Sequence, residues 1–257
     1  MKQTDTSILE NIKNALEFYR ALGFERLPIR SRALSANKRI SDKKETGIRC
    51  KEPSAKSNRL SHASVDLTGK EALLKSIREE IGDCKRCKLS GKRTNIVFGE
   101  GNPGARLMFI GEAPGREEDL QGRPFVGDAG TVLTRLINKM GFQREDVYIA
   151  NIVKCRPPLN RDPEPDEIGI CMEFIERQIE VISPEVIMSL GRISTMALTG
   201  DMKLRITAVR GKFISYKGIP TMPTFHPAYL IRNPKDKWLT WNDAQKVMEK
   251  LGSSLIE

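Results

Sequence analysis

The chain has 257 residues, 39% of them hydrophobic and 30% charged, enough for one substantial domain with a real core and an appendage. No run of about 18 uninterrupted apolar residues occurs, so no membrane span is expected. Residues 1–11 lack the apolar stretch of a secretory signal, so a cytoplasmic location is expected. The formal net charge of +10 is uneven: residues 1–70 carry 15 Lys or Arg against 8 Asp or Glu, and residues 71–257 carry 28 against 25. A basic balance favours a polyanionic partner, because Lys and Arg neutralise phosphates and release counterions.

In chain order, residues 7–23 place Ile8, Ile12, Leu16 and Leu22 near helical spacing, with Gly23 as a stop. From about Arg30 to Thr68 large apolar residues are scarce, and residues 31–60 hold nine basic side chains against three acidic. Residues 1–70 are therefore expected to be an amphipathic helix followed by a flexible basic linker. The compact domain is expected over 71–257. Its first helix covers 71–82, and short apolar strands are predicted at 106–110, 146–153 and 185–191, then at 212–217 and 219–224. Helices are predicted at 129–140, at 166–181 with Ile168, Cys171, Met172, Ile175 and Ile179 on one face, at 192–199 and at 238–251. Strands alternating with helices predict an α/β fold, a three-layer sandwich around a mostly parallel sheet. Ligands in such folds bind outside the carboxyl ends of the strands.

Five cysteines occur, and an odd number in a reducing compartment argues against a disulfide framework. Cys84 and Cys87 form a C-x-x-C knuckle, Cys155 follows the second strand, and Cys171 lies in the next helix. If the four converge, all-thiolate ligation fits either zinc or an iron–sulfur cluster. Cys50 lies in the basic stretch and is expected to be a free thiol.

Four polar segments follow strands or sit in loops. Gly111-Glu112-Ala113-Pro114-Gly115 is a tight turn that presents backbone N–H groups and one carboxylate. Phe125 sits between a proline and two glycines, where its ring can serve as a platform for a flat heterocycle. Asn151 ends the second strand with both a donor and an acceptor. His226 stands at a strand end, followed by Leu230, Ile231 and Arg232 on what reads as an exposed loop. Acid, ring, amide and imidazole together suit the recognition and expulsion of a small planar base.

These segments, taken in order, resemble the thermophile-type uracil-DNA glycosylases that carry a four-iron, four-sulfur cluster. The similarity spans about 71–251 and rests on CKRC at 84–87, GEAPG at 111–115, GRPFVGDAG at 122–130, NIVKCRPP at 151–158, Cys171 and HPAYLIR at 226–232. The resemblance implies the fold of that family and a monofunctional enzyme that hydrolyses the N-glycosidic bond of uracil in DNA, leaving an abasic site. It implies Glu112 as the catalytic acid position, Phe125 stacking on the extruded uracil, Asn151 bonding its edge beside Gly111, and His226 facing O2. It also implies Cys84, Cys87, Cys155 and Cys171 as ligands of a structural 4Fe-4S cluster. Leu230 or Ile231 would fill the vacated stack and Arg232 would hold phosphate. Asp128 departs from the basic residue that many family members carry there. The expected partner is uracil-containing DNA and the expected state a monomer. A glycosylase of altered base choice, such as one acting on hypoxanthine, and a non-enzymatic nucleic-acid module with a structural metal are the alternatives.

Overall fold

The computed structural model describes residues 67–252. The helix read at 7–23, the basic linker and Cys50 lie outside the described residues. Helix α1 (Leu67–Ile81) is followed by a short strand β1 (Glu100–Gly101) and by β2 (Leu107–Gly111). Helices α2 (Arg116–Gln121) and α3 (Asp128–Lys139) lead to β3 (Tyr148–Asn151), and α4 (Pro165–Ile182) leads to β4 (Val186–Leu190). Then come α5 (Arg192–Thr199), α6 (Ile206–Val209), β5 (Ile214–Tyr216), β6 (Ile219–Thr224), α7 (Pro227–Arg232) and α8 (Lys237–Lys250).

The six strands form one sheet in the order β1-β3-β2-β4-β6-β5. The four central strands run parallel, and β1 and β5 close the edges antiparallel. Every residue of β2, β3 and β4 is buried, which explains why they read as continuous apolar runs instead of alternating ones. Side chains still alternate between faces. Met108, Ile110 and Ile187 pack with Leu74, Ile77, Phe174 and Ile175 from α1 and α4. Leu107, Phe109 and Met188 pack with Leu133, Ile137, Ala244 and Val247 from α3 and α8. The result is the three-layer α/β sandwich expected from the sequence. Among the described residues no helix is long and apolar enough to cross a membrane.

The chain leaves β2 toward β3 on one side and reaches β4 on the other, so the strand order reverses between β2 and β4. Crevices form at such points, outside the carboxyl ends of the strands. Gly111, Asn151, Leu190 and Thr224 end the four parallel strands there.

One expectation fails locally. The segment after His226 is a helix, α7, with His226 as its N-cap and Pro227 in its first turn, where proline's fixed φ is preorganised for a helix. Its helical turn carries Leu230 inward, to 3% exposure, and leaves Ile231 at 43%. Leu230 is thus a core residue and not the exposed side chain expected from the sequence.

The end of β6 is tied to α8 through Asp243, which is buried. Its carboxylate accepts from Thr224 Oγ1 at 2.7 Å and from Arg210 Nη2 at 2.5 Å and Nε at 3.1 Å. Asp243→Ala would remove the partner of the Thr224 hydroxyl and two of the three hydrogen bonds of the Arg210 guanidinium, which would keep only its bond to the Leu239 carbonyl. The expected loss is about 3 kcal/mol, the scale for removing one partner of a buried pair, visible as a lowered denaturant midpoint without a change in slope.

Candidate active site

A cavity of about 500 Å³ opens at the reversal point, within the range of small-ligand sites. Glu112, Phe125, Asn151 and His226 all line it. The structure therefore brings together the four side chains that the sequence singled out, from three strand ends and one loop.

The geometry begins with register. Gly111 on β2 pairs with Asn151 on β3. A Cβ added at Gly111 would lie 2.4 Å from Asn151 Oδ1 and 2.5 Å from Phe125 Cζ. Only glycine lets the amide and the ring close on the strand end together. Asn151 is 1% exposed, yet neither Oδ1 nor Nδ2 has a hydrogen-bond partner. Buried amides are almost always satisfied, so an orphaned donor and acceptor on a cavity wall mark a place for a ligand's polar edge.

The Phe125 loop is held in an unusual shape. Phe125 has φ of 52°, a left-handed conformation that bulky residues rarely adopt. Arg144 donates to the carbonyls of Pro124 at 2.8 Å and Phe125 at 3.1 Å. The loop also presses on α3 at Gly130, where a Cβ would stand 1.9 Å from the Phe125 carbonyl oxygen. From the other side, the buried carboxylate of Glu118 accepts from the backbone N–H groups of Gly115, Val126 and Gly127 at 3.1, 2.9 and 3.0 Å. One side chain thus fastens the 111–115 turn to the 122–127 loop. Glu118 lies just beyond the 111–115 turn and is not among the residues singled out from the sequence. The spacing of Glu118, three residues after the residue that caps α2, was the available signal.

Burial sets the electrostatics. It raises the Glu112 carboxyl to about 7, with the nearby Asp162 carboxylate adding to the rise and Arg192 opposing it. Arg192 Nη2 donates to Asp162 Oδ2 at 2.8 Å, so the two neighbours partly cancel. Burial lowers His226 to about 4, against the pull of Glu118 and with a push from Arg232. The imidazole is therefore neutral at ordinary pH. Its Nδ1 accepts from the Ala228 backbone N–H at 3.2 Å, which places its proton on Nε2 and makes that nitrogen a donor. The imidazole and the Phe125 ring have centroids 5.8 Å apart, tilted by 36°. Asp162 and Arg192 were not read from the sequence, although Arg192 follows directly on a strand end.

Behind Asn151, Lys154 is buried and donates to the Asn151 carbonyl at 2.8 Å and to Gln178 Oε1 at 2.5 Å. Gln178 in turn donates to the Phe98 carbonyl and to the Tyr148 hydroxyl. This network fixes the end of β3 from inside the core.

The cysteines require a correction. Cys84, Cys87, Cys155 and Cys171 share one corner of the core, where Cys155 is buried and the others are half-buried. Among the described residues, however, no group of three or more His, Cys, Asp or Glu side chains is arranged to hold a metal ion. The expected 4Fe-4S ligation by Cys84, Cys87, Cys155 and Cys171 is overturned by this, and with it the cluster-bearing part of the resemblance. Three of the sulfurs are engaged by separate donors: Arg86 reaches Cys84 at 3.5 Å, Arg93 reaches Cys155 at 3.5 Å, and the Lys154 backbone N–H reaches Cys171 at 3.3 Å. Burial pushes the Cys155 thiol up to about 12 and raises Cys171. The four pack as small apolar residues do.

Residues 98–250 match the model of the uracil DNA glycosylase superfamily, and the chain belongs to that superfamily. Within it the chain is similar to the type-4 uracil-DNA glycosylases. The one from Saccharolobus solfataricus is 50% identical over 188 residues, covering 70% of this chain and 87% of the relative. The one from Thermotoga maritima is 49% identical, covering 64% and 86%, and that from Archaeoglobus fulgidus 41%, covering 70% and 94%.

The clamp at Glu118 can be tested apart from any activity. Glu118→Ala would leave the N–H groups of Gly115, Val126 and Gly127 without their acceptor. Stability should fall by about 2 kcal/mol, as for unpaired buried donors, and amide hydrogen exchange at Val126 and Gly127 should accelerate.

Proposed function

We propose that the protein is a monofunctional uracil-DNA glycosylase that hydrolyses the bond between C1′ and uracil N1 and leaves an abasic site for base excision repair. The orphaned Asn151 amide carries this reading. Its Nδ2 can donate to uracil O4 while its Oδ1 accepts from N3–H, a pairing that cytosine reverses. A polar site built for one pattern rejects the other strongly, because its own buried groups are left unpaired. The names of the similar type-4 enzymes support the same substrate.

A stacked base cannot reach the cavity, so the nucleotide is flipped out of the duplex at a cost of a few kcal/mol. Phe125 stacks on the extruded ring. As the glycosidic bond breaks, the sugar gains positive charge and the base leaves as an anion spread over N1 and O2. Glu112, as a carboxylate, offsets the sugar's charge and orients or deprotonates the attacking water. His226, neutral with its proton on Nε2, donates to O2. Ile231 is the apolar side chain of α7 that enters the vacated stack, since Leu230 is committed to the core. Arg232 holds phosphate. We assign this chemistry to residues 71–257 and nonspecific attraction to phosphates to the basic residues of 1–70. A monomer acting in the cytoplasm completes the proposal.

The test is uracil release by purified protein from a uracil-containing duplex, read by cleavage at the abasic product. Release of hypoxanthine in preference to uracil, or of neither base, would overturn the reading.

Because Glu112 acts as its anion and ionises near 7, the single-turnover rate should rise with pH through about 7 and level off above it. Glu112→Gln should abolish this acid limb and slow release on the order of 100-fold, with binding of the duplex little changed. His226 adds no second limb in this range, since it stays neutral well below pH 6. Asn151→Asp replaces the donor to O4 with a second acceptor. Uracil release should fall on the order of 100-fold and the preference for uracil over cytosine should narrow, measured as the ratio of kcat/KM values.

A further inference from the structure

Leu159 is 96% exposed, more than any other large apolar side chain among the described residues. Its backbone is left-handed, with φ of 56° and ψ of 20°, and Asn160 follows at φ 55°. Two such residues in succession, neither of them glycine, need a firm frame. Pro157 and Pro158 provide part of it through their fixed φ. Arg156 Nε donates to Asn160 Oδ1 at 2.7 Å, and the N–H groups of Asn160 and Arg161 reach back to the carbonyls of Pro157 and Pro158 at 3.1 Å. Arg161 anchors the far side by a forked bond to the buried Glu167 at 2.8 and 2.6 Å. This rigid turn holds up a leucine that touches almost nothing, so folding gains little from its apolar surface.

The turn borders the cavity. Pro157 and Asn160 line it from one segment, and Ala228 and Tyr229 of α7 line it from another. Each of these segments carries one exposed aliphatic side chain, Leu159 and Ile231. Flipping a nucleotide strips the stacking faces of its neighbours, and aliphatic side chains are what covers such faces.

We infer that Leu159 is a second apolar wedge, inserted into duplex DNA beside the extruded nucleotide and acting together with Ile231. The inference rests on the glycosylase reading and deepens it. A preformed turn of this kind keeps the backbone ordering cost on binding small, because its shape is already set by the two prolines and by Arg156.

The experiment compares uracil release from a duplex and from the same strand alone, since only the duplex has a stack to fill. Leu159→Asn keeps a residue that tolerates the left-handed backbone while removing the apolar side chain, and Leu159→Met retains an apolar one. The ratio of duplex to single-strand kcat/KM should fall about 10-fold in Leu159→Asn, the scale of one leucine side chain kept from burial, and should be largely restored in Leu159→Met. The fluorescence rise of 2-aminopurine placed next to the uracil should shrink in Leu159→Asn as well. An unchanged ratio, or equal losses on both substrates, in a protein that otherwise releases uracil would overturn the wedge alone. If the unaltered protein releases no uracil from either substrate, the glycosylase reading fails and the wedge fails with it.

Discussion

The site depends on one close approach. β2 and β3 run parallel with Gly111 opposite Asn151, and the absence of a side chain at 111 lets the Asn151 amide and the Phe125 ring meet over the strand end. Any Cβ there would push both away. Everything else serves to hold the two in that position. Lys154 and Gln178 brace the Asn151 backbone from the core, Arg144 and Gly130 fix the Phe125 loop, and Glu118 joins that loop to the turn carrying Glu112. The sheet supplies the frame, since its central strands are buried on both faces and packed between two helical layers.

The same burial divides the ionisable groups by task. Removing water disfavours charge, so it raises the carboxyl of Glu112 and lowers the imidazole of His226. Glu112 keeps a useful ionised fraction near neutrality because Arg192 stands against the combined effect of burial and Asp162. Burial keeps His226 uncharged, and the backbone N–H of Ala228 on Nδ1 leaves the proton on Nε2 as the donor. A neutral donor and an ionisable carboxylate on one cavity wall suit a reaction in which one fragment becomes negative while the other becomes positive.

The sequence revealed much of this, and its limits have physical causes. Strands β2 and β4 are legible because parallel strands covered on both faces are uninterrupted apolar runs. Helix α4 is legible from its periodic apolar face, and α3 and α8 were also expected close to where they lie. Helices α2, α6 and α7 span six residues or fewer, too short for a period to declare itself, although Pro227 directly after His226 was a start signal for α7. The misplacement of Leu230 followed from that omission, because only a helical turn carries it inward while Ile231 stays out. The glycine, the ring, the amide, the acid and the imidazole were each visible as residues. Their convergence was expected from their places at strand ends and from the resemblance, but the geometry that produces it was not legible, because it depends on a strand register and on Glu118, two of whose partners lie eight and nine residues away. The cysteines failed as metal ligands for a related reason. The C-x-x-C spacing at Cys84 and Cys87 brings two sulfurs near each other along the chain, but it does not dictate where Cys155 and Cys171 direct theirs.

The central claim is that the unpaired amide of Asn151 reads the polar edge of uracil. It is tested most directly by nitrogen-edited NMR of the Asn151 side chain during titration with free uracil and, in parallel, with free cytosine. The account predicts that the Nδ2 resonances move with uracil, as a donor without a partner gains one, and that they stay in place with cytosine. Uracil binding that leaves these resonances unmoved, or an equal response to both bases, would contradict it.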